Sequence, residues 1–553
     1  MQLSTSAYPD TFARDHLPPF DQWPTLEFTT ESVRYAERLN AAVELIDVPV
    51  ERFGADRVAL RTPEGDVWTY GDLQRRANQV AQVLSEDLGL VPGNRVLLRS
   101  PNNPWAVACW LGILKAGGIV VTMFSALRAG ELAPVVTKAQ PTVALVDHRF
   151  SKDVVALQAE VAPDLQILRF GGEGDEDLVA RTAGKSGEFV AVDTAADDVA
   201  LFGPTSGSTG VPKITTHFHR DILAIDGTFG QHALRLEADD LVSCTAPLAF
   251  TFGLGMLVAF PLRVGAASLL TEAATPAQLA ELVADKDVTV LATAPTAFKQ
   301  ILAAGNVGLL RGLRVAVSAG EHIARETWQR LYDELGLRVV DGIGATEMLH
   351  IFISAAGDDI RPGATGRAVP GYRATILGRD DQEVPSGVEG RLAVIGPVGC
   401  RYLDDDDRQA GYVVNGWNVT GDTFCRDDDG YFYYRSRTDN MIVSSGYNIG
   451  GPEVEAAIET HPDVMECAVV AKPDPDRGST VCAFVVLRDG VTGDRDKVKE
   501  IQDHVKGVLA PYKYPRDVRF VASLPRNTSG KLQHFRLREQ VQAEATDARE
   551  EPS

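Results

Sequence analysis

A short segment in the first half of the chain has the composition of an anion-binding loop. Residues 205–213 read Thr-Ser-Gly-Ser-Thr-Gly-Val-Pro-Lys. Glycines allow backbone N–H groups to turn towards an anion, hydroxyls donate hydrogen bonds to it, and a lysine adds a point charge. The segment lacks the Gly-Lys-Ser/Thr adjacency of a Walker A loop. It indicates phosphate binding; the alternative is a flexible Ser/Gly linker, which the preceding Leu201 and Phe202 disfavour.

Three further motifs with charged or hydroxyl groups follow along the chain. Residues 342–347 (Gly-Ile-Gly-Ala-Thr-Glu) come directly after a strand-like run. Residues 421–422 (Gly-Asp) precede 430–432 (Gly-Tyr-Phe) and 436–439 (Ser-Arg-Thr-Asp). Residues 525–531 (Pro-Arg-Asn-Thr-Ser-Gly-Lys) lie near the C-terminus. Segments so far apart act together only if the fold brings them to one place.

The elements that must position these motifs alternate between strands and helices. Asp72 is placed to cap a helix whose apolar residues repeat at helical spacing over 73–84, and residues 104–116 predict another helix. Short apolar runs predict strands at residues 95–98, 119–123, 142–146, 165–168, 288–292, 314–318 and 338–341. This alternation predicts an α/β fold with parallel, doubly wound layers.

The predicted alternation of strands and helices ends after Gly363, where short strands lie between Gly, Pro and Asp clusters. This predicts a small β-rich subdomain within a large domain of residues 1–437. Beyond it the order helix, strand, strand, helix predicts a smaller, mobile α+β domain at residues 438–543. Residues 544–553 are charged, and we expect them to form a frayed tail.

The composition of the 553-residue chain excludes several classes of protein. Hydrophobic residues make up 44% and charged residues 24% of it, as in an ordinary globular protein of about two to four domains. The net charge of −22 argues against nucleic acid and membrane surfaces as partners. Six scattered cysteines without a CxxC pair predict free thiols in a reducing compartment. Without a leader or an uninterrupted apolar span, we expect a soluble cytoplasmic protein.

In their order and spacing, the four motifs resemble those of the adenylate-forming superfamily, which includes acyl- and aryl-CoA synthetases, peptide-synthetase adenylation domains and firefly-type luciferases. The resemblance covers roughly Tyr70 to Leu537. It implies a nucleotide contact at Gly342 and at Ile343, where many relatives have a tyrosine that stacks on adenine. The residues that it implies around the β- and γ-phosphates of ATP are Thr205, Ser206, Gly207, Ser208, Thr209, Gly210 and Lys213.

The resemblance also implies roles for the central motifs. Thr346 would hold the α-phosphate of ATP, and Glu347 would lie at a Mg²⁺ ion. Asp422 and Arg437 would bind the ribose hydroxyls, which an ionised carboxylate accepts well. Ser436 and Asn440 depart from the usual family residues without removing a charge that the chemistry needs.

The implied reaction has two half-steps. A carboxylate first attacks ATP to give an acyl adenylate and pyrophosphate, and catalytic Lys531 would bridge the carboxylate and the α-phosphate. The thiol of CoA, a co-substrate, then attacks the acyl carbon near Gly446 and AMP leaves. Because one small domain cannot present both groups at once, we expect it to rotate about a hinge at Asp439 between the steps.

The acid pocket is expected after Pro247, where residues 248–255 are apolar and aromatic. This stretch and residues 344–352 resemble benzoate-type CoA ligases. The aryl slot that this implies consists of Phe250, Phe252, Phe260, Ala319, Gly344, His350 and Ile351. Two alternatives stay open: residues 250–260 are simply core, and His350 is a satisfied core histidine and not a wall that contacts the ring or an ortho substituent.

Residues 5–24 resemble the leader of 2-aminobenzoate-CoA ligases, which favours 2-aminobenzoate over benzoate and 2-hydroxybenzoate as the small aromatic acid. A stand-alone adenylation enzyme that loads a carrier protein is the main alternative. A luciferase-like oxygenase and a non-catalytic adenylate-binding regulator are further alternatives, and the presence of Lys531 disfavours the regulator. A homodimer, the ring substituent and the direction of the pathway are left open.

Overall fold

The computed structural model describes residues 3–205, 212–320, 323, 325–437, 441–525 and 534–550. Across these ranges the strands, β1 to β25 in chain order, are Val58–Arg61, Val67–Thr69, Arg95–Arg99, Ile119–Met123, Val143–Asp147, Gln166–Phe170, Val199–Thr205, Lys213–Phe218, Leu241–Cys244, Ala267–Leu269, Val290–Thr293, Val315–Ser318, Val339–Gly344, Ile351–Ser354, Arg367–Ala368, Arg373–Leu377, Gly390–Ile395, Val413–Val414, Trp417–Arg426, Phe432–Arg437, Met441–Ser444, Tyr447–Gly450, Val464–Asp474, Gly478–Leu487 and Asp517–Phe520.

The α-helices, α1 to α17 over the same ranges, are Phe12–Asp15, Val48–Phe53, Tyr70–Gln82, Pro104–Lys115, Ala129–Ala139, Ser151–Val161, Leu178–Ala183, His219–Ile225, Thr251–Leu254, Phe260–Val264, Pro276–Asp285, Pro295–Ala303, Arg325–Leu335, Asp406–Tyr412, Gly451–Glu459, Arg495–Val508 and His534–Glu550. Wider π-helical turns adjoin several of them, at Val43–Asp47, Val83–Asp87, Asp226–Leu234 and Gly255–Ala259. Short 3-10 turns lie at Phe20–Gln22, Glu31–Val33, His148–Phe150, Asn306–Leu310, Thr346–Met348, Gly357–Asp359 and Pro511–Lys513. Within the described part of the chain, no helix is both long and apolar enough to cross a bilayer.

Two largely parallel sheets form the large domain. One runs in the order β6-β5-β3-β4-β7-β8, with β8 antiparallel to β7. The other runs β15-β14-β13-β12-β11-β9-β10-β1-β2, with antiparallel strands only at its ends. Helices α3 and α4 pack in the shared core that joins both sheets. The predicted α/β fold is confirmed.

Helix α3 shows how local sequence sets an element's start. Thr69 is its N-cap and accepts a hydrogen bond from the Asp72 backbone, while the Asp72 carboxylate accepts one from the Thr69 backbone in return. This capping box satisfies two backbone donors of the first turn. The prediction that Asp72 caps the helix was therefore wrong by three positions.

The N-terminal segment is anchored on the large domain. Buried Asp198 accepts hydrogen bonds from the Ser6 hydroxyl at 2.5 Å and the Ala7 backbone at 3.0 Å, and it pairs with Arg14 at 2.9 Å. The Tyr8 hydroxyl donates to the Val199 carbonyl at 3.1 Å. These contacts fix the segment to the first residues of β7 and give it a structural role.

The two later units are smaller. Strands β16, β17, β18, β19 and β20 form an antiparallel sheet, as expected for the β-rich subdomain. In the C-terminal unit, α15 and α16 cover one face of the sheet β22-β21-β24-β23, and Leu524, Leu537 and Val541 pack on the other. Helix α17 runs to Glu550, so the backbone of residues 544–550 is helical. Residues 551–553 lie outside the described residues, and the frayed tail stays a prediction.

Candidate active site

A cavity of about 1680 Å³ lies between the large domain and the C-terminal unit. The carboxyl ends of β4, β7, β9, β11, β12 and β13 border it, because parallel strands place their ends and the loops that follow along the same edge. The C-terminal unit contributes residues from the β21–β22 turn, from α15 and from the end of α16. Ligands in open α/β sheets bind at such an edge.

The phosphate-loop motif lies where β7 turns into β8. Thr205 and Lys213 are paired across these two strands, and both border the cavity. Thr346 and Glu347 stand in the short turn directly after β13 and border the same cavity. The Lys213 ammonium lies 4.0 Å from the Glu347 carboxylate. The fold thus brings two motifs that are more than a hundred residues apart to one wall.

A buried tyrosine orients the Glu347 carboxylate. The Tyr402 hydroxyl donates a hydrogen bond to Glu347 Oε1 at 2.6 Å. Burial and the neighbouring carboxylate raise the pKa of Tyr402 well above its usual value, so the phenol stays protonated and donates. No motif predicted this contact, because the two residues are 55 positions apart.

The carboxylate of Glu347 suits a magnesium ion that also binds phosphate oxygens. Mg²⁺ prefers oxygen ligands and is commonly held by one or two carboxylates together with substrate phosphates and water. Glu347 is largely buried, borders the cavity and has one oxygen fixed by Tyr402. These residues fit the ion that the resemblance implies.

A buried histidine supports the turn from behind. His217 Nε2 lies 2.8 Å from the Thr346 carbonyl oxygen and 3.0 Å from the Thr215 hydroxyl. Burial lowers the pKa of His217 to about 4, so the ring is neutral at pH 7. Behind it, Asp221 pairs with Arg401 in the fully buried core. His217 is therefore a packing and positioning residue.

The ribose motif reaches the same cavity from the β-rich subdomain. Asp422 borders the cavity in β19, and Arg437 in β20 is its register partner. The backbone places these two predicted residues side by side. Several predicted residues lie outside the described part of the chain: Ser206, Gly207, Ser208, Thr209, Gly210, Asp439 and Lys531. The side chain of Arg437 is likewise not described.

Most of the predicted aryl slot lines the cavity. The residues that do so are Phe250, Phe252, Ala319, Gly344, His350 and Ile351. Phe260 is fully buried and meets His350 edge-on, with 4.7 Å between ring centroids. Phe260 therefore packs behind the wall, and a direct contact of its ring with the acid stays a prediction. Gly342 and Ile343 lie in β13 just before the cavity wall.

The two small residues of the slot differ in why they are small. A Cβ on Gly344 would lie 2.7 Å from the His350 carbonyl oxygen, so the close backbone, and not a substrate, requires glycine there. Ala319 follows β12, is 8% exposed and borders the cavity directly. Only Ala319 leaves room in the slot by its size.

His350 is the polar group of an otherwise apolar wall. Its ring lies 5.5 Å from Phe252 in a stacked arrangement and 5.3 Å from Phe229. Neither ring nitrogen makes a hydrogen bond of good geometry with a described residue. Burial lowers the pKa of His350 to about 3, with a weaker opposing effect from the Phe252 backbone, so the imidazole is neutral at pH 7. A buried polar group without a partner is costly unless a ligand supplies one.

The C-terminal unit presents a glycine turn to the cavity. Gly446 has φ of +81° between β21 and β22, a left-handed conformation that favours glycine. A Cβ there would lie 3.2 Å from Ala294 Cβ, and a Cβ on Gly320 would lie 3.6 Å from the Gly446 carbonyl oxygen. The turn therefore sits against the large domain beside the slot.

Fold and site together define a two-part α/β protein whose predicted phosphate-binding residues and aromatic slot border one cavity. Residues 46–401 match the model of the AMP-binding enzyme family, and residues 453–531 match that of the AMP-binding enzyme C-terminal domain. The chain belongs to the AMP-binding enzyme family, which confirms the superfamily predicted from the four motifs.

Named relatives and solved structures show which members of the family this chain is similar to. The chain is 33% identical over 516 residues to a benzoate–CoA ligase of Thauera aromatica, covering 92% of this chain and 98% of the ligase. The crystal structure of the anthranilate CoA ligase AuaEII with anthranoyl-AMP superposes with a TM-score of 0.72 at 29% identity, covering 94% and 100% of the two chains. The amide bond synthetase McbA of Marinactinospora thermotolerans superposes with a TM-score of 0.82 at 25% identity, covering 91% and 99%.

Proposed function

We propose that the protein is an ATP-dependent aryl-CoA ligase and that its acid is 2-aminobenzoate. The observation that carries the proposal is the aromatic slot around His350, which opens into the same cavity as Thr346, Glu347 and the Gly446 turn. An aryl carboxylate in this slot would have its carboxyl group directed towards the phosphate-binding edge. The likeness to the benzoate–CoA ligase and to the anthranilate CoA ligase supports an aryl acid.

In the first half-reaction, one carboxylate oxygen attacks the α-phosphorus of ATP, and pyrophosphate leaves. Negative charge grows on the nonbridging α-phosphate oxygens, so the Thr346 hydroxyl and the Lys531 ammonium would stabilise the transition state. Mg²⁺ at Glu347 would neutralise charge on the phosphates. Lys213 at the β7–β8 turn would hold the leaving pyrophosphate electrostatically.

In the second half-reaction, the CoA thiol attacks the acyl carbon and AMP leaves. The Gly446 turn borders the cavity in the described arrangement, which suits this half-reaction. Leu524 and Leu537, which flank the motif carrying Lys531, pack on the sheet face opposite α15 and α16. Adenylation therefore requires the C-terminal unit to rotate, and we propose Asp439 as the hinge between residues 1–437 and 438–543.

The choice of 2-aminobenzoate rests on His350. A neutral imidazole nitrogen accepts a hydrogen bond from an aromatic amino group, whereas the phenylalanine side chains around it are apolar and only the Phe252 backbone offers a polar contact. Benzoate would fill the slot but offer no ortho donor to the imidazole. A 2-hydroxyl would also donate to His350, so the two ortho-substituted acids must be compared directly.

The test is a panel of benzoates assayed for pyrophosphate release with and without CoA. We expect release that depends on the acid in both cases, thioester formation with CoA, and the highest kcat/KM for 2-aminobenzoate. Parallel reactions contain a phosphopantetheinyl carrier protein or a primary amine as acceptor. Acyl transfer to either in preference to CoA, or a preference for aliphatic acids, would refute the proposal.

A further inference from the structure

A buried ion pair joins the large domain to the C-terminal unit beside the cavity. The Lys513 ammonium lies 2.7 Å from Glu131 Oε1 and 2.8 Å from Glu453 Oε2. Lys513 and Glu131 are 5% and 8% exposed, so solvent screens the pair little. Glu131 Oε2 also accepts a hydrogen bond from the Ala510 backbone at 3.0 Å. One carboxylate of the large domain thus binds two groups of the C-terminal unit.

The pair connects to the turn that carries Gly446. Glu453 stands in the first turn of α15, and its second oxygen accepts a hydrogen bond from the Gly450 backbone at 3.1 Å. Gly450 is the last residue of β22, the strand that begins directly after Gly446. An ammonium fixed between Glu131 and Glu453 therefore fixes the start of α15 and, through β22, the glycine turn.

An aromatic cluster completes the same contact. Tyr512 stacks on Tyr447 with 4.3 Å between ring centroids, and Phe124 of the large domain lies 5.8 Å from Tyr512 and 6.1 Å from Tyr447. Tyr447 follows Gly446 directly, and Tyr512 precedes Lys513. All three rings border the cavity. The ion pair and the rings hold the C-terminal unit at one orientation.

We propose that Glu131 and Lys513 are positioning residues for acyl transfer. Their ion pair holds the Gly446 turn against the cavity during thiol attack, and it must open before adenylation. This inference rests on the proposed two-step ligase function. The sheet face that carries Leu524 and Leu537 points away from α15 and α16, so no single orientation presents both faces to the cavity. Each residue acts through the turn and touches no reacting atom.

The experiment separates the half-reactions. Glu131→Gln keeps the shape of the side chain and removes its charge, Lys513→Met removes the ammonium, and Lys513→Arg retains a cation. Adenylation is measured as single-turnover pyrophosphate release without CoA. Transfer is measured as thioester formed from supplied aryl-AMP and CoA. Melting curves identify any variant that is not folded.

We expect Glu131→Gln and Lys513→Met to slow transfer by about 10- to 100-fold, the scale of a lost interior hydrogen bond to a charged group. Adenylation should stay within about twofold of the wild type, because the pair is open in that step. Lys513→Arg should recover most of the transfer rate. The double variant Glu131→Gln/Lys513→Met should be no slower than the slower single variant, since both changes break one contact.

Asp517→Asn is the matched control. It breaks the Lys472–Asp517 ion pair at 2.7 Å, which lies wholly within the C-terminal unit, and should leave both half-reactions unchanged. Equal losses in both half-reactions, or full transfer activity in a folded Glu131→Gln variant, would overturn the inference. A wild-type enzyme that forms aryl-AMP but no thioester would overturn the proposed function and this inference together. Normal wild-type activity with unaffected variants would overturn the inference alone.

Discussion

Replacing His350 by phenylalanine tests how the slot selects its acid. The imidazole packs among Phe229, Phe252 and Phe260, with ring centroids between 4.7 and 5.5 Å apart. A phenylalanine ring preserves these contacts and removes both ring nitrogens, neither of which has a good hydrogen bond to a described residue. We therefore expect a loss of selectivity without a loss of folding.

The magnitude follows from one hydrogen bond. A neutral intramolecular or ligand hydrogen bond contributes about 0.5–1.5 kcal/mol net. At 1.36 kcal/mol per decade, the ratio of kcat/KM for 2-aminobenzoate over benzoate should fall by about 2- to 13-fold in His350→Phe. The KM for ATP should not change. Benzoate itself should be turned over as well or better, because it offers no ortho donor to the imidazole of the wild type.

The assay is steady-state pyrophosphate release for both acids, with melting temperatures measured on the same preparations. The wild-type fit is close, since a Cβ on Gly255 would lie only 2.4 Å from His350 Cδ2, so the melting curve shows whether the larger ring is accommodated. Ile351→Val is the control: it removes one methyl group from the same slot, and both acids should suffer equally. A fall of kcat/KM by the same factor for both acids in His350→Phe would refute the reasoning.

Three other perturbations address the slot, the chemistry and the stability. Ala319→Leu should raise the KM for benzoates by about 5- to 150-fold, because overpacking a close wall costs about 1–3 kcal/mol. The KM for ATP should not change, and titrations of both substrates check this. Lys531→Ala should slow aryl-AMP formation by at least about 10²-fold yet convert supplied aryl-AMP and CoA to thioester, and equal losses would contradict the assigned role. Burial lowers the pKa values of His217 and His219 to about 4, so both rings are neutral in the folded protein at pH 7. The stability that this contributes is fully present above the unfolded pKa near 6.5. It is lost as the pH falls from 6.5 towards 4, with a slope of about 1.4 kcal/mol per pH unit for each ring. Urea unfolding between pH 7.5 and 4.5 measures that slope, and His219→Gln should reduce it; an unchanged slope would show that the ring is not held neutral.

Secondary structure was predicted well where one continuous stretch of sequence is enough to define the element. The predicted strand at residues 119–123 coincides with β4, and the predicted helix at 104–116 matches α4 to within one residue. Both are buried almost throughout, and their continuous apolar runs are sufficient to indicate them. The start of α3 was misplaced because Thr69 and Asp72 are both good capping residues, and only their reciprocal hydrogen bonds identify the cap.

The arrangement of the aryl slot was harder to predict than its residue types. Phe252, His350 and Phe260 were all predicted as slot residues, but the sequence did not indicate which of these rings faces the cavity. That depends on the turn at Leu349, where a φ of +65° precedes His350, and on the packing of Phe260 behind it. Whether an aromatic side chain faces the cavity or lies behind its wall depends on the elements packed around it, so residue type alone does not show this.

The sequence by itself determined the class of chemistry, because phosphate recognition depends on residue types within contiguous segments such as 205–213 and 342–347. Tertiary structure decided how those segments cooperate. The Tyr402–Glu347 hydrogen bond spans 55 residues and the Lys513–Glu131 ion pair spans 382. Neither leaves a local pattern, since each partner alone looks like an ordinary polar residue. Burial in the low-dielectric interior, which only the folded chain provides, turns these pairs into positioning contacts.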